Sequence, residues 1–289
     1  MNPNDIGCVI KSLPDVDKIT AAATAVNINP ANRPRVERAR GLMAFASRDE
    51  SAVITPYHLA LLTTKYWGAK GVNLTVGFTE TIAADLRERI LSHMNAWSVC
   101  CNAKFSWSKT SPQVRITRSG DGYWSYLGTD ILHIPADQPT MCLQDFTMST
   151  PESEYKRVVR HEVGHTLGFP HEHMRQEIVS RLDEAKTIAW GRSQLGWDVG
   201  TVRQQILTPI DPTTIQATPA ADVDSIMCYQ LPASITKNGK PIPGGLDINA
   251  NDQAFAGKLY PLAVTPPPAS TRTIVITGAS KVTVDGNVV

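Results

Sequence analysis

The stretch HEVGHTLGFPHEHMR, His161–Arg175, holds four of the chain's seven histidines. On an unbroken helix at about 100° per residue, His161 and His165 lie roughly 40° apart. That spacing of four lets two imidazoles converge on one ion. Glu162 is rotated away from the pair, so it is poorly placed as a ligand and well placed to act on a water held there. His171 lies six residues past His165, roughly 240° round the same helix, and would face away. Gly168 removes the difficulty, because glycine enters positive φ without a Cβ clash and can end the helix. Pro170 then resists continuation, and the chain can bring His171 back. The pattern H-E-x-x-H-x-x-G-x-x-H thus assigns His161, His165 and His171 to a single catalytic Zn²⁺. His173 and Glu172 are read as surface or structural residues.

The wheel over 152–167 also divides the helix. Tyr155, Val158, Val159, Val163, Thr166 and Leu167 share one broad face, and Arg157, Arg160 and Gly164 lie opposite. The helix is expected to start near Thr150, with Ser149 or Thr150 as cap and Pro151 and Glu152 in the first turn.

Upstream, VNLTVGF (72–78) alternates apolar and polar residues as a half-buried strand does. TIAADLRERILSHMNAW (81–97) spaces Ile82, Leu86, Ile90, Met94 and Trp97 as a helix does. AKFSW (103–107) and QVRITR (113–118) read as strands. Strand, helix, strand, strand predicts a mixed sheet with a helix packed on it. DVDKITAAATAV (15–26) predicts a short helix that INPANRPR (28–35) breaks with two prolines, and PYHLALLTTKYW (56–67) a helix or extended lead-in. TPPPAS (265–270) is a proline linker. Residues 271–289 read as two short strands and a turn, too few for an independent domain. The organisation expected is an N-terminal extension at 1–66, a catalytic domain at 67–262 and a linker with a β-like tail at 263–289.

The chain has 289 residues, 19% of them charged, and a formal net charge of +1. That balance carries no electrostatic footprint for nucleic acid or an anionic membrane, and no apolar run reaches the ~20 residues needed to span a bilayer. Met1–Lys18 has no basic region followed by an apolar core, so no secretory signal is read there. The five cysteines are irregularly spaced; a bridge from Cys142 to Cys100 or Cys101 is weighed against free thiols.

With these residues the sequence resembles the astacin family of metzincin zinc metalloproteases and its bacterial relatives. The opening stretch matches through Gly168, Phe169, His171, Glu172 and Arg175. DSIMCY (Asp224–Tyr229) resembles the family's Met-turn, GYWSYLGTD (122–130) its segment before the edge strand, and DINANDQAFAGKLYP (247–261) its closing helix. Cys228 stands where the family usually has histidine, and Tyr123 where many members have a disulfide cysteine. The resemblance covers about 67–262 and implies an α+β fold: a twisted mixed sheet with two long helices above a loop-rich lower subdomain, and the zinc cleft between. It places Met227 beneath the metal as a packed base. It makes Tyr229 the oxyanion donor and a candidate fifth ligand.

The activity implied is endopeptidase hydrolysis, with Glu162 as general base on the zinc-held water. The expected partner is a protein or peptide lying as an extended strand against a sheet edge, for which TDILHIP (129–135), with His133 at a subsite or the surface, is the candidate. A monomer acting outside the cell is expected. Metzincin proenzymes often block zinc from an N-terminal segment; Cys8, Asp15 and Asp17 are candidates here, and Cys8 leads because a thiolate is a good zinc ligand. The competing reading is a catalytically inactive, zinc-stabilised binding protein of the same fold.

Overall fold

The computed structural model describes residues 8–34, 63–210 and 220–262, and beyond them the backbone of three short strands. It begins with β1 (Cys8–Lys11) and α1 (Asp15–Ile28), and Pro30–Asn32 forms a 3₁₀ turn. The helix expected at 15–26 is present. Of the 56–67 lead-in, the part before Thr63 lies outside the described residues, and Thr63–Trp67 runs without regular structure.

β2 (Val72–Phe78) buries Val72, Leu74 and Val76, as its alternation requires. α2 (Ala84–Met94) follows and tightens to 3₁₀ geometry over Asn95–Val99. β3 (Ala103–Trp107), β4 (Val114–Thr117), β5 (Tyr123–Tyr126) and β6 (Met141–Leu143) complete the sheet. Its order is β1-β5-β6-β4-β2-β3. β5 runs antiparallel to β6, and every other pair is parallel. The fold is therefore α+β with a mixed sheet.

The expected edge strand at 129–135 is not a strand. Gly128–His133 is a 3₁₀ turn that buries Thr129, Asp130 and Ile131. Gly128 enters it at φ +49°, with its Cα face against the Lys65 carbonyl. Asp130 pairs with Lys65 at 3.3 Å. The β-branched residues that suggested a strand serve instead to plug this turn into the core. The outer neighbour of β5 is β1.

The helix that carries His161 and His165 is built in three pieces: a short turn (Glu152–Glu154), a π-helical turn (Tyr155–Val159) and α3 (Arg160–Thr166). Neither Ser149 nor Thr150 caps it. Pro151 holds the N-cap position without a side-chain bond, and Thr150 Oγ1 accepts the Thr147 N–H instead. The π turn accommodates Tyr155, whose ring lies 5.0 Å from Phe146 and beneath the Arg89 guanidinium. It ends before Arg160, so the four-residue spacing of His161 and His165 is regular α.

α4 (Gln176–Val179), α5 (Glu184–Gln194), α6 (Val199–Val202) with a second π turn (Arg203–Leu207), and α7 (Ala250–Leu259) follow. The core divides in two. One cluster joins the sheet, α2, α3 and α7 through Ile90, Trp97, Ile116, Val163, Leu167 and Ala256. The other joins the lower half through Ile178, Val202, Ile206, Leu231 and Ile242, and includes Cys8, Cys228 and Tyr229. The cleft lies where the two meet. All five cysteines are free thiols. The Cys100 and Cys101 sulfurs both turn to the Trp97 carbonyl, while Cys142 packs against Gly120, so the bridge weighed from sequence does not form. In the tail, β7 (Ile274–Ile276), β8 (Val282–Val284) and β9 (Asn287–Val288) make a three-stranded antiparallel ribbon, one strand more than expected.

Candidate metal centre and cleft

Helix α3 carries His161 and His165 on adjacent turns, and its exit brings in the third imidazole. Gly168 sits at φ +97°. Its N–H donates to the His165 carbonyl at 2.8 Å and Phe169 N–H to Gly164 at 2.9 Å, so the turn that reverses the chain also satisfies the helix end. His171 Nε2 then lies 3.0 Å from His165 Nε2 and 3.4 Å from His161 Nε2.

The tautomers follow from the outer contacts. His161 Nδ1–H donates to the Ile226 carbonyl at 2.6 Å, and His165 Nδ1–H to the Phe169 carbonyl at 2.7 Å. Both Nε2 atoms therefore point lone pairs into the space they share with His171. These two lone pairs and the His171 Nε2 at this separation, all buried, form a set that suits a cation between them. Donors sharing one ion at about 2.1 Å in tetrahedral array stand about 3.4 Å apart, so the set fits Zn²⁺. Burial pushes the His161 imidazole down to about 4, and His165 and His171 well below their ordinary value, which keeps all three neutral and able to ligate.

Cys8 completes the cluster. Its sulfur and the three imidazole nitrogens all lie within 4.8 Å of one another, and all four residues are buried. β1 delivers it by pairing with β5 in parallel, with Cys8 opposite Tyr123, Val9 opposite Trp124 and Ile10 opposite Ser125. Asp15 and Asp17, the other latency candidates, sit in the first turn of α1 and are not brought to this cluster.

Glu162 is fully buried beside the Cys8 thiol, and among the described residues no N–H or O–H donor meets its carboxylate oxygens. Burial pushes its carboxyl up to about 8. The Tyr229 hydroxyl is likewise buried without a partner among the described residues. Its ring lies 4.4 Å from that of His171 and stacks on His173 at 3.9 Å. Met227 lies under α3, its thioether against Gly164. Gly164, placed by the wheel on the outer face, is thus buried, because the turn carrying Met227 folds over it. A cavity of about 350 Å³ opens beside Cys8, His161, Glu162 and Tyr229 and is walled by Arg157 and Trp190.

The family model for Astacin, a peptidase family, matches residues 62–241, more than half of the chain. The chain belongs to the astacin family. It is 31% identical over 130 residues to zinc metalloproteinase nas-27 of Caenorhabditis elegans, a match covering 45% of this chain and 26% of that protein. The chain thus spans about a quarter of that relative's length. A solved structure of myroilysin covers 69% of this chain and 97% of its own at 30% identity, with a TM-score of 0.65. A second myroilysin structure covers 68% and 86% at 29% identity, with a TM-score of 0.52. Cys8 lies outside the residues that the astacin model matches.

Three residues of this astacin-family site take places that sequence did not show. His173 is structural, as expected, but fully buried: Nε2–H donates to the Gln205 carbonyl at 2.8 Å, and Nδ1 accepts the Tyr229 N–H at 3.3 Å. Asp252, in the capping box of α7, accepts from Ser225 Oγ at 2.6 Å and Ile226 N–H at 3.0 Å and so holds the Met227 turn. Asn249 followed three residues later by Asp252 was a legible capping signal. Gln205, on the second π turn, carried none.

Proposed function

We propose that the chain is a zinc-dependent endopeptidase whose N-terminal extension holds it latent. The observation that carries the first half is the convergence of three buried, neutral Nε2 atoms beside the buried Glu162 carboxylate. A bound zinc ion supplies the Lewis acid that makes water nucleophilic near neutrality and polarises the scissile carbonyl. His161, His165 and His171 would hold it. Glu162 takes the proton of the attacking water and passes it to the leaving amine; a carboxylate made more basic by burial suits both transfers. Tyr229 supplies a hydrogen-bond donor to the carbonyl oxygen as negative charge develops there. The 350 Å³ cavity receives a substrate side chain, and the edge of β5 receives the substrate backbone as an added strand.

Latency rests on β1. It occupies the outer edge of β5 and carries Cys8 into the imidazole cluster. A thiolate there fills the position water needs, and the strand fills the track substrate needs. In this reading residues 1–66 are a pro-segment, 67–262 the catalytic domain and 263–289 an appendage. Action outside the cell fits the family. Among the described residues no helix is long and apolar enough to cross a membrane.

Cleavage of a peptide library by the full chain and by the chain without residues 1–66, with and without a chelator, tests the reading. Chelator-sensitive cleavage that rises on removing 1–66 supports both halves. Zinc bound without cleavage in either protein would establish the inactive zinc-stabilised binding protein instead.

A further inference from the structure

Gln205 faces the strand that occupies the cleft. Its side-chain Oε1 accepts the Ile10 N–H at 3.3 Å, and its Nε2 donates to the Ile10 carbonyl at 3.5 Å. In an extended strand the N–H and C=O of one residue point to the same edge, and those of its neighbours to the other. β1 is therefore gripped on both edges, by β5 on one and by Gln205 on the other. We propose that Gln205 is a backbone clamp for whatever extended peptide lies beside β5, first Ile10 of the extension and then one residue of a substrate. The substrate half rests on the endopeptidase reading above.

Three features favour a clamp that outlasts the extension. The Gln205 side chain belongs to a residue only 6% exposed with β1 in place, and departure of β1 frees both polar ends of its amide for the backbone of the next strand. An amide that bonds only backbone reads no side chain, and by flipping it can serve a strand of either polarity. Its own carbonyl accepts the His173 ring that stacks on Tyr229. The grip on the strand is thus tied to the residue assigned to the reacting carbonyl. The π turn Arg203–Leu207 gives the side chain its aim, and a cavity of about 330 Å³ lined by Ile10, Tyr66, Leu127, Met174 and Gln205 leaves room for the side chain of the gripped residue. Ile10 is two residues from Cys8, so the clamp engages a substrate two residues from the atoms at the metal position. Gln205 is a positioning residue on this reading, not a catalytic one.

Two measurements test it, each on the full chain with Gln205→Met, which keeps side-chain volume, and with Gln205→Ala. Hydrogen exchange of the metal-free protein reads the grip on β1. The Ile10 amide should exchange at least tenfold faster in both variants, with Val9 and Lys11 unchanged; an unchanged Ile10 rate overturns the proposal. The zinc-loaded Cys8→Ala chain, with and without Gln205→Met, is then assayed on a cleaved peptide N-methylated at one backbone nitrogen at a time. One methyl, two residues from the scissile bond, should raise KM five- to tenfold with Gln205 and less than twofold with Gln205→Met, leaving kcat little changed. Equal penalties in both backgrounds at every position overturn the substrate half. If neither the Cys8→Ala chain nor the chain without residues 1–66, to which the same assay is applied, cleaves any peptide, the endopeptidase reading and that half fall together, while the exchange result still decides whether Gln205 grips a strand.

Discussion

Gly164 presents its bare Cα to the thioether of Met227 on the helix that carries His161 and His165. A Cβ at Gly164 would collide with Met227 Sδ and would lie 3.0 Å from its methyl carbon. Helix propensity favours alanine by up to about 1 kcal/mol, but overpacking a buried contact costs about 1–3 kcal/mol. We expect Gly164→Ala to lower stability by about 1–2 kcal/mol in denaturant melts of the metal-free protein, and Gly164→Ala with Met227→Ala to recover part of it. A single variant as stable as the parent would mean that the contact is slack.

Glu162→Gln preserves shape and removes the base. Zinc content by atomic absorption should stay at the parent level, while kcat on a cleaved peptide falls by about 10²–10⁴. Parent-level turnover would remove Glu162 from the mechanism.

Cys8→Ala removes the thiol from the cluster and leaves β1 paired with β5. The zinc-loaded full chain should gain activity at least tenfold, and a mercurial added to the parent should act in the same direction. Deleting residues 1–66 should raise activity further, because the strand then leaves the edge of β5. Equal activity in all three proteins would mean that the extension does not inhibit.

Asp252 ties α7 to the Met227 turn through Ser225 Oγ and Ile226 N–H. Asp252→Ala strands these donors in a buried setting at about 1–3 kcal/mol for each left unpaired. We expect a loss of about 2–4 kcal/mol in denaturant melts, together with weaker zinc binding in a competition titration. The turn also carries the Ile226 carbonyl that orients His161, so a stability loss without a change in zinc affinity would separate the two roles.

Burial lowers the pKa of His93, whose Nδ1 is buried without a partner among the described residues. The unfolded chain protonates this imidazole near 6.5 and the folded chain only below that. Its contribution is therefore fully present above pH 6.5 and lost as pH falls from there through the lower folded-state value. His93→Phe keeps a ring beside Tyr155 and should flatten the decline in stability between pH 6.5 and 5 by at most one proton, about 1.4 kcal/mol per pH unit. Parallel pH profiles would exclude the effect.

Much of the site was legible because its chemistry is local. His161, Glu162, His165 and Gly168 occupy one helix and its exit, where spacing alone sets direction. The strands at 72–78, 103–107 and 113–118 and the helix at 84–94 were legible for the same reason, since alternation and 3.6-residue periodicity are short-range. Residues 129–135 show where this stops. Their β-branched composition suits a strand, but the Lys65 ion pair and the packing of Ile131 make a 3₁₀ turn the better solution. Composition reports what a segment tolerates, not which partner reaches it first.

Spacing along the chain was enough to predict that three imidazoles meet and that Gly168 turns the chain between them. Those letters lie within eleven positions, and a helix converts their spacing into direction. The same reading could name Cys8 as a candidate but not place it. Only packing settled that β1 lies on the outer edge of β5, that Cys8 reaches the imidazoles, that Gly164 faces Met227 and that Gln205 holds Ile10. Each of these joins segments far apart in the chain. Such contacts are selected by the packing of two cores against each other, and no local period encodes them.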